Sequence, residues 1–208
     1  MNRSSHYRLS NIDLMDTLDN WDSLMNFRVH LIACGGTALT LLKIKDSTKD
    51  IDFIMPEENE YQRLMKFLKH LNYGDKGGGL AHEDDPNFIY QFWCGNRVFT
   101  TDLLDSPLEE DKHILIKKWT HIYLGALNLI DLIITKMFRG DQVDRNDCIA
   151  AFASGQVNPE ELLDRYSEAA RHDLNPEKVM RNFASLAEDL SKKQLISYEF
   201  YKKVRSSL

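Results

Sequence analysis

The sequence predicts a mixed α+β fold in which strands and helices share the first part of the chain and a helical bundle closes it. Three observations carry this expectation. Short runs rich in β-forming residues at 29–34, 50–55, 88–93 and 98–104 are interspersed with segments of helical periodicity. Beyond Gly140 the pattern is helical throughout. The 208 residues, 43% hydrophobic and 28% charged, suit one compact core with a helical appendage, divided here into residues 1–126 and 127–208.

Each element has its own signal. Leu14, Leu18, Trp21, Leu24 and Met25 recur at spacings of three and four, which predicts an amphipathic helix over 11–27 after a polar Ser10-Asn11 entry. Residues 29–34 form a short apolar run, a buried strand that Gly35-Gly36 ends before a helix-forming stretch at 37–42. In 50–55 charged and apolar residues alternate as on a strand with two unlike faces, and Pro56 stops it. A second amphipathic helix is expected over 57–71, and a loop over 75–86 around Gly77-Gly78-Gly79. Gly95-Asn96 is a candidate turn between strands at 88–93 and 98–104, and a last strand is placed near 118–124. Residues 127–139 are long and apolar enough for a buried helix. Asn158-Pro159 and Asn175-Pro176 each set a capping residue before a proline, marking two further helix starts, and a closing segment is read near 195–204.

Composition narrows the function. Thirty-two acidic against 26 basic residues give a net charge of −6, so the chain is not a generally basic nucleic-acid coat. No run of eighteen apolar residues exists and the first twenty lack the apolar stretch of a secretory signal, so a cytoplasmic protein without membrane attachment is expected. Cys34, Cys94 and Cys148 are odd in number and widely spaced, which argues against disulfides and structural zinc.

The chemistry concentrates at Asp50 and Asp52. Two residues apart on a strand they share one face, with Cα atoms about 6 to 7 Å apart. Aspartate is a poor strand former, and two close carboxylates repel unless a cation lies between them. Oxygen donors of this kind favour magnesium, with manganese as the substitute. The competing reading is a solvated edge strand. Gly35-Gly36, at a strand-to-helix junction, lets a backbone approach a ligand closely, although a tight turn alone would also account for it.

Gly35-Gly36-Thr37-Ala38-Leu39 followed by Thr48-Lys49-Asp50-Ile51-Asp52-Phe53 resembles the signature of the DNA polymerase β-like nucleotidyltransferases, in particular the small prokaryotic branch that includes the toxin-type enzymes of abortive-infection systems. The resemblance is strongest over residues 29–55. It implies a nucleotidyltransferase-like small mixed sheet flanked by helices, and transfer of a nucleoside monophosphate from a nucleoside triphosphate to an acceptor hydroxyl with two magnesium ions. It also implies a third carboxylate on a later strand, for which Asp102 is chosen and Asp105 is the fallback. Gly35, Gly36 and Thr37 would position phosphate oxygens. A weaker similarity covers Lys136 and Arg139, three apart on one helix, and Asp144 and Asp147 on the next. There Lys136, with Arg139, would reach the triphosphate, while a salt-bridge network between two helices is the alternative for the acids. The acceptor, whether tRNA, protein or small molecule, is not selected by any motif, and an antitoxin partner is expected only through the toxin-type branch. The alternative of another class is a catalytically inactive module of the same fold that binds nucleotide or protein.

Other motifs carry less. Gly77-Gly78-Gly79 lacks the Gly-Lys-Ser/Thr of a phosphate loop. His82-Glu83-Asp84-Asp85 is a contiguous acidic stretch whose side chains cannot converge on one ion. Lys112, His113, Lys117, Lys118 and His121 are read as solvated surface, and Cys34 as packing.

Overall fold

The computed structural model describes residues 8–207, so the first seven residues of the stretch read above for a leader lie outside the described part. The chain forms two compact units. One comprises the residues up to Val98 together with Asp105–Leu127, and the other Phe99–Leu104 together with the residues from Asn128 onward.

The first unit contains β1 (Leu9–Ser10), α1 (Asn11–Leu24), β2 (Val29–Ala33), α2 (Gly35–Leu41), β3 (Ser47–Thr48), β4 (Asp50–Met55), α3 (Glu58–His70), β5 (Tyr73–Lys76), β6 (Gly79–His82), β7 (Asp85–Cys94) and β8 (Arg97–Val98). The chain then passes through β9 (Thr101–Asp102), which belongs to the second unit, and returns for β10 (His113–Lys118) and β11 (Ile122–Leu127). Seven strands form one sheet in the order β10-β11-β2-β4-β7-β6-β5. The pairs β11·β2 and β4·β7 are parallel and the other four antiparallel, so the sheet is mixed, as the sequence reading expects.

Local chemistry explains the elements. Ser10 and Asp13 cap α1 reciprocally, each side chain accepting from the other's backbone N–H. The helix ends three residues before the expected limit, because Met25 is already extended. Trp21, on the buried side of α1, donates from Nε1 to the Tyr73 hydroxyl (3.1 Å) and packs on Tyr90 with ring centroids 5.2 Å apart. Phe92 meets the same tryptophan and stacks on Phe53 (5.9 Å). Ile51, Phe53 and Met55 are fully buried. Successive side chains alternate across a sheet, so Asp52 leaves β4 on the face opposite Phe53.

Three expectations are corrected. Residues 75–86 are not a loop: β5 and β6 pair across Gly77-Gly78, both in left-handed conformation, so the glycine run is a hairpin turn between strands too short to show periodicity. The strand at 98–104 is interrupted at Phe99 (φ 53°), leaving only the two-residue β8 and β9, neither part of the seven-stranded sheet. The strand near 118–124 is instead the hairpin β10–β11, turning at 119–121 with a bond from Trp119 N–H to the Ile122 carbonyl (2.9 Å).

The second unit holds α4 (Leu129–Arg139), α5 (Gln142–Ala153), α6 (Pro159–Ala170), α7 (Pro176–Lys192) and α8 (Tyr198–Ser206). Leu132, Ile133, Ile134, Met137 and Phe138 bury α4 on nearly every side, which is why its sequence is apolar without a clean stripe. Tyr166 of α6 stacks on Phe183 of α7 (4.4 Å) and donates its hydroxyl to the Val179 carbonyl (2.7 Å). Asn158 and Asn175 cap α6 and α7 with proline following, as their sequences require. Cys34 and Cys148 are buried and Cys94 is exposed, and none of the three is in a disulfide. Among the described residues no helix is long and apolar enough to cross a membrane.

The end of α1 is tied to the sheet through one carboxylate. Asp22 is 9% exposed, and its Oδ1 accepts from the backbone N–H groups of His121 (2.7 Å) and Ile122 (2.9 Å). Replacing it by alanine strands two donors at the start of β11. Asp22→Ala is therefore expected to lower the free energy of unfolding by about 2 to 3 kcal/mol in urea titration, with Asp22→Asn, which keeps an acceptor, losing less.

Candidate active site

Asp50 and Asp52 stand at the start of β4, and the turn into α2 holds the strand there. The Thr37 hydroxyl, fully buried, donates to the Asp50 carbonyl (3.1 Å) and accepts from the Asp52 N–H (2.9 Å). Thr48 donates a second hydroxyl to the same carbonyl (2.8 Å), and the Cys34 N–H donates to the Asp52 carbonyl (3.0 Å). Four bonds thus fix the backbone around the two acids, leaving their side chains on the face opposite Ile51 and Phe53. Asp50 is exposed, whereas Asp52 is 5% exposed.

The glycines are explained by the same contact. Gly35 has φ +57°, and a Cβ there would lie 2.6 Å from Asp52 Oδ2; on Gly36 it would lie 2.7 Å from Thr48 Oγ1. Only residues without side chains let α2 start directly against the aspartate strand. The donor set is two carboxylates on one face of β4, one of them against a side-chain-free turn, which fits a small oxygen-seeking dication. Thr37 contributes its side chain to the scaffold, so any contact it makes with a ligand comes from its backbone.

The remaining predicted residues belong to other elements. Asp102 is exposed on β9, in the second unit and off the sheet that carries Asp50 and Asp52. Asp105 pairs with Lys112 (2.7 Å). Among the described residues no three His, Cys, Asp or Glu side chains are grouped as metal ligands. His82 and Asp84 form a local turn, the imidazole accepting from the Asp84 N–H (3.2 Å). Lys117 lies over the Trp119 ring (4.1 Å), on a strand whose lysines face outward.

In the second unit Lys136, Arg139, Asp144 and Asp147 form one network. Lys136 Nζ, 5% exposed, donates to Asp147 Oδ2 (2.7 Å) and lies 3.4 Å from Asp144 Oδ1. Arg139 binds Asp144 in bidentate fashion, with both contacts at 2.5 Å, and its guanidinium rests over Phe99 (4.6 Å). Burial alone would pull the Lys136 pKa down, but Asp147 and then Asp144 outweigh it and hold the ammonium above its ordinary value. Sequence spacing had put the two cations on one helix face and the two acids on the next, and the structure joins them.

Comparison with known proteins bears on this arrangement. Residues 12–204 match the family described as "Nucleotidyltransferase of unknown function (DUF6036)". The chain belongs to this family. No curated protein sequence matches it significantly. Among solved structures, the one described as "Crystal structure of putative nucleotidyltransferase from H. pylori" is similar at 14% identity and a TM-score of 0.41, over 94% of this chain and 92% of that one. Membership in the DUF6036 nucleotidyltransferases rests on the sequence match.

Two features of this nucleotidyltransferase escape the sequence reading: the bridging Thr37 hydroxyl and the neighbour of Asp52 on β7, which is Gln91. The Thr in Gly-Gly-Thr was a readable signal, whereas the β4–β7 register was not.

Removing the ammonium from the helical network takes from the buried Asp147 its 2.7 Å contact and from the buried Asp144 one of its cations. Lys136→Met is expected to cost about 3 to 5 kcal/mol of stability at neutral pH, read from denaturant unfolding. Because the folded pKa is raised, the lysine's contribution is fully present below its ordinary value of 10.5 and is lost as pH rises through the raised folded value. The gap between wild type and variant should therefore be flat through the neutral range and narrow only above pH 10.5.

Proposed function

We propose that this DUF6036 protein is a magnesium-dependent enzyme that transfers a nucleoside monophosphate from a nucleoside triphosphate to an acceptor hydroxyl, releasing pyrophosphate. One observation carries the reading: Asp50 and Asp52 share one face of β4, locked through Thr37 against a turn that only glycine permits, in a family described as nucleotidyltransferases.

Asp50 and Asp52 would hold the cation, with manganese able to substitute for magnesium. When bound, the metal supplies charge stabilisation at the triphosphate and lowers the pKa of the attacking hydroxyl. The protein's own part is positioning. Asp52, seated against Gly35, keeps one carboxylate orientation, while the exposed Asp50 stays open to the substrate side. Gly35, Gly36 and the backbone of Thr37 leave room for phosphate oxygens beside the acids. Asp102 stays the proposed third acid, with Asp105 held by Lys112. Of the two cations proposed to meet phosphate, Arg139 is the more open, its side chain keeping 41% of its surface exposed, while Lys136 binds the acids around it. The acceptor class is RNA, protein or a small molecule, and a toxin role with an antitoxin partner is the extension drawn from the toxin-type resemblance.

The test is label transfer from α-labelled ATP, CTP, GTP and UTP with magnesium and a cell extract, run beside Asp50→Ala/Asp52→Ala. Transfer is expected from the wild type and a loss on the order of 10²-fold or more from the double variant. Equal labelling by both proteins would remove these acids from the reaction, and absence of both transfer and magnesium-dependent nucleotide binding would favour a catalytically inactive module.

A further inference from the structure

Gln91 lies on β7 directly across the parallel ladder from Asp52 of β4, with Asp50 opposite Ile89 and Phe53 opposite Phe92. Its direction is fixed by its neighbours. Phe53 and Phe92 stack on each other, and Phe92 packs towards Trp21, so Asp52 and Gln91, one residue earlier on each strand, both leave the sheet on the other face. That is the face where Gly35 abuts Asp52. On the far side of Gln91, β6 presents a glycine: a Cβ on Gly79 would lie 2.7 Å from Ile89 Cγ2 and 3.1 Å from Gln91 Cγ, so a side chain there would crowd the glutamine. The Gln91 side chain is half-buried, with a carboxylate on one flank and no side chain on the other. Among the described residues nothing hydrogen-bonds its amide.

A glutamine amide set one strand away from a carboxylate, about 5 Å in the hydrogen-bonding direction, sits within reach of any ion that carboxylate holds. We propose that the Gln91 carbonyl oxygen is a further, neutral ligand of the divalent cation held by Asp50 and Asp52. The inference rests on the function proposed above. Two carboxylates and one amide carbonyl form an all-oxygen set that suits magnesium or manganese. An amide oxygen adds a donor without adding a further negative charge facing the triphosphate.

Manganese binding by the whole protein without nucleotide, followed by calorimetry or by the paramagnetic signal of free Mn²⁺, tests this. Gln91→Ala should weaken Mn²⁺ binding on the order of tenfold. Gln91→Glu, which puts a further charge in the same place, should tighten it on the order of tenfold, and a gain cannot come from misfolding. Asp50→Ala/Asp52→Ala should abolish binding. If the double variant loses Mn²⁺ while both Gln91 variants bind as the wild type does, the role of Gln91 is overturned and the aspartate site stands. If the wild type binds no Mn²⁺, the metal site and this ligand fall together.

Discussion

The Thr37 hydroxyl is the point on which the candidate site depends. It spans the backbone between Asp50 and Asp52, giving its hydrogen to one residue's carbonyl and taking one from the other's N–H. An aspartate pair on a strand resists its own placement, since aspartate favours local turns and the two charges repel. A fully buried hydroxyl that satisfies both backbone groups offsets this, because unmaking it would leave a buried donor and acceptor unpaired. The glycines follow from the same requirement. Thr37 can reach the strand only if α2 begins hard against it, and Gly35 and Gly36 are the two positions where a Cβ would collide with Asp52 and Thr48.

The two faces of β4 divide the labour. Phe53 belongs to an aromatic cluster with Phe92, Trp21, Tyr73 and Tyr90, whose burial anchors the strand from behind. The opposite face carries Asp50 and Asp52, whose negative charges the proposed cation would offset. In the second unit the logic differs. Lys136 and Asp147 are buried together, so their charges stabilise mainly by compensating one another, and Arg139 satisfies both oxygens of Asp144 in the fork geometry only arginine provides.

Legibility from sequence followed how local each signal was. The caps at Ser10, Asn158 and Asn175 and the strand at 50–55 are short-range signals, and the structure carries them as read, although Asp52 and Ile54 are buried like the face behind them. The glycine run at 77–79 was misjudged because glycine reports conformational freedom, which a hairpin turn and a loop use alike. Residues 98–104 had strand composition, but a left-handed Phe99 breaks the run, and nothing in its side chain announces that.

What the sequence determined by itself is the mixed α+β class, the shared face of Asp50 and Asp52, and the likeness to nucleotidyltransferases that the family match bears out. These depend on spacing within a few residues, where periodicity alone sets direction. Tertiary structure alone decided that Thr37 is scaffold, that Lys136 is buried among acids, and that Gln91 rather than an acid stands beside Asp52. The physical reason is register: a strand's neighbours are chosen by packing over the whole sheet, and sliding one strand by a single residue would turn Gln91 to the other face.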